Sequence, residues 1–353
     1  MKKLLGLLLA LVAAVAIYLA VTPSPIDPLA WDAPQAPLMT GVLEPNDTLM
    51  KAELLGRGQV HGPEDTAVDS QGRVYAGLHD GRIVRIGSDG KVETFVDTQG
   101  RPLGMDFAAD GALIVADAYR GLLRIAPQGK IEVLTTEAEG VPFKFTDDLD
   151  IARDGTIYFS DASSRFEQPD YLLDLLEARP HGRLLSYDPA TKQTKVLLKD
   201  LYFANGVALS AAEDFVLVNE TYRYRITRYW LSGEKAGTHD VFIDNLPGLP
   251  DNLQGDGNGT FWVALPTPRK ADADLLHRSP WAKAQLAKLP RAFWPKAERY
   301  GFAIALNEQG QITQSLHDSS GEHLRMITSV KPVGDYLYFG TLDNDRIGKL
   351  KIR

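Results

Sequence analysis

One phrase recurs six times along this chain: an apolar segment, a tight turn, then a run rich in β-branched and aromatic residues. The runs are Val74–Ala76, Leu113–Ala116, Ile157–Phe159, Phe215–Val218, Phe261–Val263 and Tyr336–Phe339. Their turns are Ser70–Gly72, Ala109–Gly111, Arg153–Gly155, Ala211–Glu213, Gly257–Gly259 and Pro332–Gly334. Third and fourth runs follow in most units, as in Gly81–Ile86 with Lys91–Val96 and Gly121–Ile125 with Lys130–Leu134. A unit of this kind cannot bury its apolar faces alone, so repetition dictates stacking. Six units of four strands predict an all-β chain, a six-bladed β-propeller. A β-sandwich of repeated hairpins competes, but sixfold recurrence argues against it. The last unit reaches only a third strand, Asp345–Ile352, before the chain stops. Its outer strand has to come from elsewhere or an edge stays open, and Lys51–Leu55 is placed to close it.

The N-terminus carries a second signal. Met1-Lys2-Lys3 precedes an uncharged run, Leu4–Val21, whose length as a helix, about 27 Å, suffices for the hydrocarbon core. The two lysines predict a cytoplasmic start, with the rest outside, periplasmic if the source is bacterial. Cleavage of a signal peptide after Ala14-Val15-Ala16 is the competing reading. The expected organisation is an anchor helix over 1–21, a proline-rich extended tether over 22–47 with six prolines, and a propeller over 48–353. A net charge of −8 argues against nucleic-acid binding. The absence of cysteine excludes disulfides, thiolate zinc sites and cysteine nucleophiles.

Aligning the units on their turns and stepping back eight residues gives Glu64, Leu103, Asp147, Asn205, Asp251 and Met326. Equivalent starts of inner strands ring the central channel at one depth. Four of the six carry side-chain oxygens, which suits a hard cation, and Ca²⁺ rather than Zn²⁺ where no His or Cys joins them. Packed carboxylates would raise each other's pKa unless a cation offset them. Asp65, Asp148 and Asn252 are the next residues along. Asp and Asn are also common turn residues, so each alone has a structural reading. Together they predict a metal ring of Glu64, Asp147, Asn205 and Asp251.

These residues sit in phrases with a wider likeness. They are Gly62–Asp65, Asp148–Ile151, Gly182–Pro189, Phe203–Ser210, Arg228–Leu231 and Leu249–Asn252. In combination they resemble the strictosidine synthase-like branch of calcium-dependent propellers, the branch that includes adipocyte plasma membrane-associated proteins, over about residues 50–353. Paraoxonases and gluconolactonases are wider kin, and their metal ligands fall on the phrases holding Glu64, Asn205 and Asp251. The family usually has Asn-Asp where this chain has Asp147-Asp148, which adds a negative charge to the ring. No histidine aligns with the paraoxonase pair. His61 and His323 lie near the channel mouth, and Glu322 lies near the sixth inner strand.

Ring spacings of 39, 44, 58, 46 and 75 residues place two insertions, 166–181 and 266–299, between second and third strands. That connection returns to the face where inner strands begin, so both are expected over the metal face as a lid. The second insertion mixes Leu275, Leu276, Trp281, Leu286, Leu289, Phe293 and Trp294 with Arg269, Lys270, Arg278, Lys283, Lys288, Arg291 and Lys296. It reads either as a segment dipping into an anionic membrane or as a helix packed on the rim. The expected function is a calcium-dependent hydrolase of apolar esters or lactones, with Asp251 or Asp148 orienting or deprotonating water. The alternative is a binding module with a structural calcium. No Gly-x-Ser-x-Gly element supports a serine esterase.

Overall fold

The computed structural model describes residues 1–352. Six four-stranded antiparallel sheets form the blades of a propeller. Their inner strands are Thr66–Val68, Pro102–Phe107, Thr146–Ile151, Ala204–Leu209, Leu253–Gly255 and Ile327–Val333. The six repeated runs of the sequence are the second strands, for example Val74–Gly77 and Phe215–Glu220. Both faces of each blade are buried, which explains why the runs are apolar throughout rather than alternating. In blade 1, Val74 and Ala76 pack with Tyr338 and Ile347 of blade 6. Tyr75, between them, packs with Met105, Leu113 and Val115 of blade 2. Period-two geometry thus sends successive side chains to opposite neighbours.

The ring is closed by the N-terminal segment. Glu53–Leu55 forms the outer strand of the last blade, with Glu53 opposite Lys349 and Leu55 opposite Ile347. The closing strand expected from the missing fourth run is therefore present, and the sandwich alternative is excluded.

Inside the channel, carboxylates fasten blade to blade. Asp65 accepts from the Met105 amide at 2.8 Å, Asp148 from Val207 at 2.9 Å and Asp150 from Leu209 at 2.8 Å. Lys331 of blade 6 reaches Asp106 of blade 2 at 2.9 Å and Gln254 of blade 5 at 2.8 Å. One buried ammonium therefore ties three inner strands together, with each donor satisfied by an oxygen, as a buried charge requires.

Both insertions rise over one mouth of the channel. The first carries helix α2 (Tyr171–Glu177), and the second carries α3 (Ala271–His277) and α4 (Pro280–Ala287). Pro280 at the first position of α4 and the Ser279 hydroxyl accepting from the Ala282 amide set that helix's start. Phe166, Leu176, Ala287 and Trp294 bury together with Ile26 of the proline-rich segment. That segment is extended, but it is strapped down rather than free. Leu29 donates to the Glu177 carbonyl and Trp31 to the His277 carbonyl, each at 2.9 Å. Arg223 lies between the Trp31 and Tyr202 rings, 4.4 and 3.6 Å from their centroids. The N-terminal run forms one further helix, Lys2–Val21, with mean hydropathy 2.8 and no burial against the rest of the chain, long and apolar enough to cross a membrane.

A candidate cation and substrate site at the channel mouth

The ring residues owe their aim to irregularities in the inner strands. Pairing slips between Pro102 and Met105, between Thr146 and Leu149, and between Ala204 and Val207. Leu103, Asp147 and Asn205 each lie inside such a bulge, the device that turns a side chain out of its normal alternation. Glu64 and Asp251 precede their strands by two residues and are held by the backbone. The Glu64 amide bonds Gly77 at 3.1 Å, and its carbonyl accepts the Thr328 hydroxyl of blade 6 at 2.6 Å. The Asp251 carbonyl accepts from the Gly206 amide of blade 4 at 3.2 Å. Gly206 permits that approach: a Cβ there would lie 2.5 Å from the Asp251 carbonyl oxygen.

Around the mouth the structure brings together Glu64, Asp147, Asn205 and Asp251 from blades 1, 3, 4 and 5. Asn205 donates to the Asp251 carboxylate at 2.7 Å. Burial raises the Glu64 carboxyl well above the ordinary carboxylate range, and Asp251 and Asp147 raise it further. Asp147 is raised for the same reasons, burial first and then Asp251 and Asp148. Asp251 is pushed up to about 7, chiefly by burial, against the opposing effect of Asn205. Three buried oxygens here, Glu64 Oε2, Asp147 Oδ2 and Asn205 Oδ1, have no hydrogen-bond partner. An oxygen-only donor set with unmet acceptors fits a hard cation. Among the described residues, however, no group of three or more His, Cys, Asp and Glu side chains stands close enough to hold a metal as drawn.

A cavity of about 190 Å³ opens above this ring. Asn205, Asp251 and Met326 form its floor, Tyr171 and Leu175 of α2 one wall, and Lys270 and Lys296 of the second insertion its rim. Residues of both insertions therefore line this cavity. Asp148 is not part of this cavity. Its carboxylate accepts from the Val207 amide at 2.9 Å.

The other sequence candidates disperse. Glu322 is exposed on the rim, paired with Arg299 at 3.1 Å. His323 bonds the Ala52 carbonyl at 2.7 Å and so helps seat the closing strand. His61 lies beside His79, with ring centroids 6.1 Å apart.

Two residues near the mouth carried no sequence signal. Arg101 is 1% exposed, and none of its three guanidinium nitrogens has a hydrogen-bond partner. Burial lowers its pKa, while Glu64 and Asp147 are among the groups that hold the proton on. His277 of α3 lines the cavity, and burial, aided by Lys283 and Arg223, pushes it down to about 3 and keeps it neutral. Only long-range packing reveals either residue.

Comparison with known proteins identifies the family. The Strictosidine synthase family model matches residues 147–234, and that of the Strictosidine synthase-like N-terminal region matches residues 41–86. The chain is 38% identical to adipocyte plasma membrane-associated protein of Rattus norvegicus, over 94% of each chain. Among solved structures, a gluconolactonase of Xanthomonas campestris superposes with a TM-score of 0.63 at 19% identity, covering 94% of this chain and 99% of its own. Regucalcin of Agrobacterium tumefaciens, described as a calcium-binding protein, superposes with a TM-score of 0.58 at 13% identity, covering 84% and 90%. At those identities the two structures speak for the propeller fold, whereas the identity shared with the rat protein along nearly the whole chain places this protein in the strictosidine synthase-like family that includes adipocyte plasma membrane-associated protein.

Proposed function

We propose that this chain is a membrane-anchored, calcium-dependent hydrolase of apolar esters or lactones, with its propeller on the extracytoplasmic side. The observation that carries the reading is Asp251. It is a carboxylate fixed by Asn205, on the floor of a cavity walled by Tyr171, Leu175, Phe203 and Leu249. A carboxylate positioned within reach of a water can act as its general base. Glu64, Asp147, Asn205 and Asp251 would hold the calcium. When bound, calcium polarises a carbonyl and offsets the charge that develops on its oxygen.

The chain's own groups supply the rest. Asp251 orients a water and takes its proton on the carboxylate oxygen. Asn205 fixes the direction of that carboxylate through its amide hydrogen bond. The apolar walls bind acyl or aryl groups and exclude bulk water. The distant likeness to a gluconolactonase supports lactone or ester chemistry as a class, and the likeness to a calcium-binding propeller supports the cation. Asp148, equally acidic in the sequence, is left with a fastening role.

The test is an ester and lactone panel with the full-length protein in calcium and after metal removal, repeated with Asp251→Asn. The expected result is chelator-sensitive turnover of phenyl esters or lipophilic lactones, reduced at least about 100-fold in the variant. Absence of any chelator-sensitive turnover, with a ligand still bound at the mouth, would leave a binding module instead.

A further inference from the structure

The second insertion reads in sequence as a basic stretch, but in the fold several of its cations are engaged by other parts of the chain. Lys283 is buried and donates to the Leu29 carbonyl. Arg269 pairs with Asp274 at 2.8 Å and also bonds the Pro34 carbonyl. Lys270 donates to the Lys296 carbonyl at 3.3 Å. Arg278 pairs with Asp32 at 2.8 Å and Arg291 with Asp170 at 2.7 Å. These contacts bind the insertion to the proline-rich strap and to the first insertion, and carboxylates pair Arg269, Arg278 and Arg291.

The apolar side chains divide differently. Trp294 and Ala287 are buried, yet Leu275, Trp281 and Phe293 are 64%, 74% and 70% exposed. Three large bare side chains within one short insertion are a feature that soluble surfaces avoid. Their position gives the occupant. Tyr18 of the N-terminal helix donates to the Lys288 carbonyl at 2.8 Å, and Lys288 donates to the Leu19 carbonyl at 2.7 Å. Tyr18 and Leu19 belong to the last turn of Lys2–Val21. A helix of 20 residues, about 30 Å long, reaches the headgroup layer there if it spans the bilayer, and tyrosine is enriched at that depth. The insertion is therefore bonded to the chain at the depth of the membrane surface.

We propose that Leu275, Trp281 and Phe293 insert into the headgroup layer of the bilayer crossed by the N-terminal helix, driven by apolar burial rather than by charge. The cavity, whose rim includes Lys270 and Lys296 of the same insertion, then receives substrate from the lipid phase. This second clause rests on the hydrolase reading, and it narrows the substrate class to esters or lactones that partition into membranes.

The test uses the full-length protein reconstituted in phosphatidylcholine bilayers. Trp281 is one of five tryptophans, so its emission is the difference between wild type and Trp281→Phe. Phosphatidylcholine brominated near the headgroup should quench that difference signal strongly. Lipid brominated deep in the chain should quench it less, and aqueous iodide should barely affect it. Adding phosphatidylserine should change nothing, nor should raising salt from about 0.1 to about 1 M, which shortens the Debye length from about 10 to about 3 Å. Iodide quenching without lipid quenching would overturn the proposal. So would quenching that requires phosphatidylserine and disappears in salt, since adsorption would then be electrostatic. For the substrate clause, Phe293→Glu with Leu275→Glu, checked for an unchanged melting temperature, should raise KM at least about fivefold for a bilayer-embedded ester. KM for a short soluble ester should stay the same. Equal effects on both substrates would overturn delivery from the bilayer. Turnover of neither substrate by wild type would sink the hydrolase reading while the quenching result stands independently.

Discussion

The metal-free protein should lose stability as pH rises from about 4 to about 8, and calcium should restore most of that loss. Glu64, Asp147 and Asp251 all have pKa values raised by burial and by one another or their acidic neighbours. A carboxyl whose folded pKa lies above its unfolded value contributes fully while protonated in both states. That contribution is lost as pH climbs through the folded value. For Asp251 the window runs from 3.8 to about 7. At about 1.4 kcal/mol per pH unit, that span corresponds to on the order of 4 kcal/mol. Asp251 keeps part of its surface open to the cavity, so screening reduces this toward about half. With an unfolding entropy of about 2 cal/mol/K per residue over roughly 300 residues, the loss is about 3–6 °C in melting temperature. A calcium ion held by the folded ring, as proposed, would be most needed when the ring is ionised, so its stabilisation should grow over the same window. The assay is calorimetry of full-length protein dialysed free of metal, with and without saturating calcium, at both pH values. Comparing the two states at each pH cancels titrations elsewhere in the molecule. The calcium-induced shift should be about 3–6 °C larger at about pH 8 than at about pH 4. A shift that is absent, equal at both pH values or smaller at the higher one would refute the reasoning, because the carboxylates would not then share a cation.

Two further perturbations test the frame that holds the ring. Lys331→Met leaves Asp106, and the nearby Asp65 and Asp150, without their shared cation, and should destabilise by about 3–5 kcal/mol, the usual result of breaking a buried pair; denaturant melts at neutral pH would show it, and a loss below about 1 kcal/mol would mean that the ammonium fastens nothing. Placing proline at both Leu54 and Leu55 removes at least one ladder amide of the closing strand, so the last blade should expose its edge and the protein should associate in light scattering, while an unchanged monomer would show that closure is dispensable.

What was legible in the sequence follows from the range of the interactions concerned. Blade runs such as Val74–Ala76 were legible because burial on both faces is written locally, as consecutive apolar residues. The closing strand Glu53–Leu55 was legible because six units of four strands leave one strand unaccounted for. The nearness of Asn205 and Asp251, bonded at 2.7 Å, was legible because blades repeat with a fixed offset from turn to inner strand. Long-range partners were not. Asp148 and Asp251 look alike in sequence, and only the Val207 amide of the next blade distinguishes them. The proline-rich segment reads as a tether because its partners, Glu177 and His277, lie more than a hundred residues away. The insertion's lysines and arginines read as a basic surface until Leu29, Asp32 and Pro34 are seen to meet them.

Asp147 and Arg101 are best understood together. Where the family usually has asparagine, Asp147 gives the ring a third carboxylate beside Glu64 and Asp251. A divalent cation among three carboxylates leaves one negative charge, buried where ionised groups are strongly disfavoured. Arg101 supplies one positive charge at that point: it is 1% exposed, free of hydrogen-bonded partners, and stabilised by Glu64 and Asp147 among other neighbours. No ion pair within 4.0 Å joins it to either carboxylate among the described residues, so it balances the ring through space and does not block the oxygens. The two residues should therefore be energetically coupled. Arg101→Met should tighten calcium binding, because a nearby positive charge that repels the ion is lost, and should destabilise the metal-free protein more than the loaded one by leaving the ring carboxylates unopposed. Asp147→Asn, which restores the family's usual residue, should then rescue the Arg101→Met protein. A double-mutant cycle on melting free energies should give a coupling of about 1–3 kcal/mol. Additive effects within about 0.5 kcal/mol would show that Arg101 serves some other group.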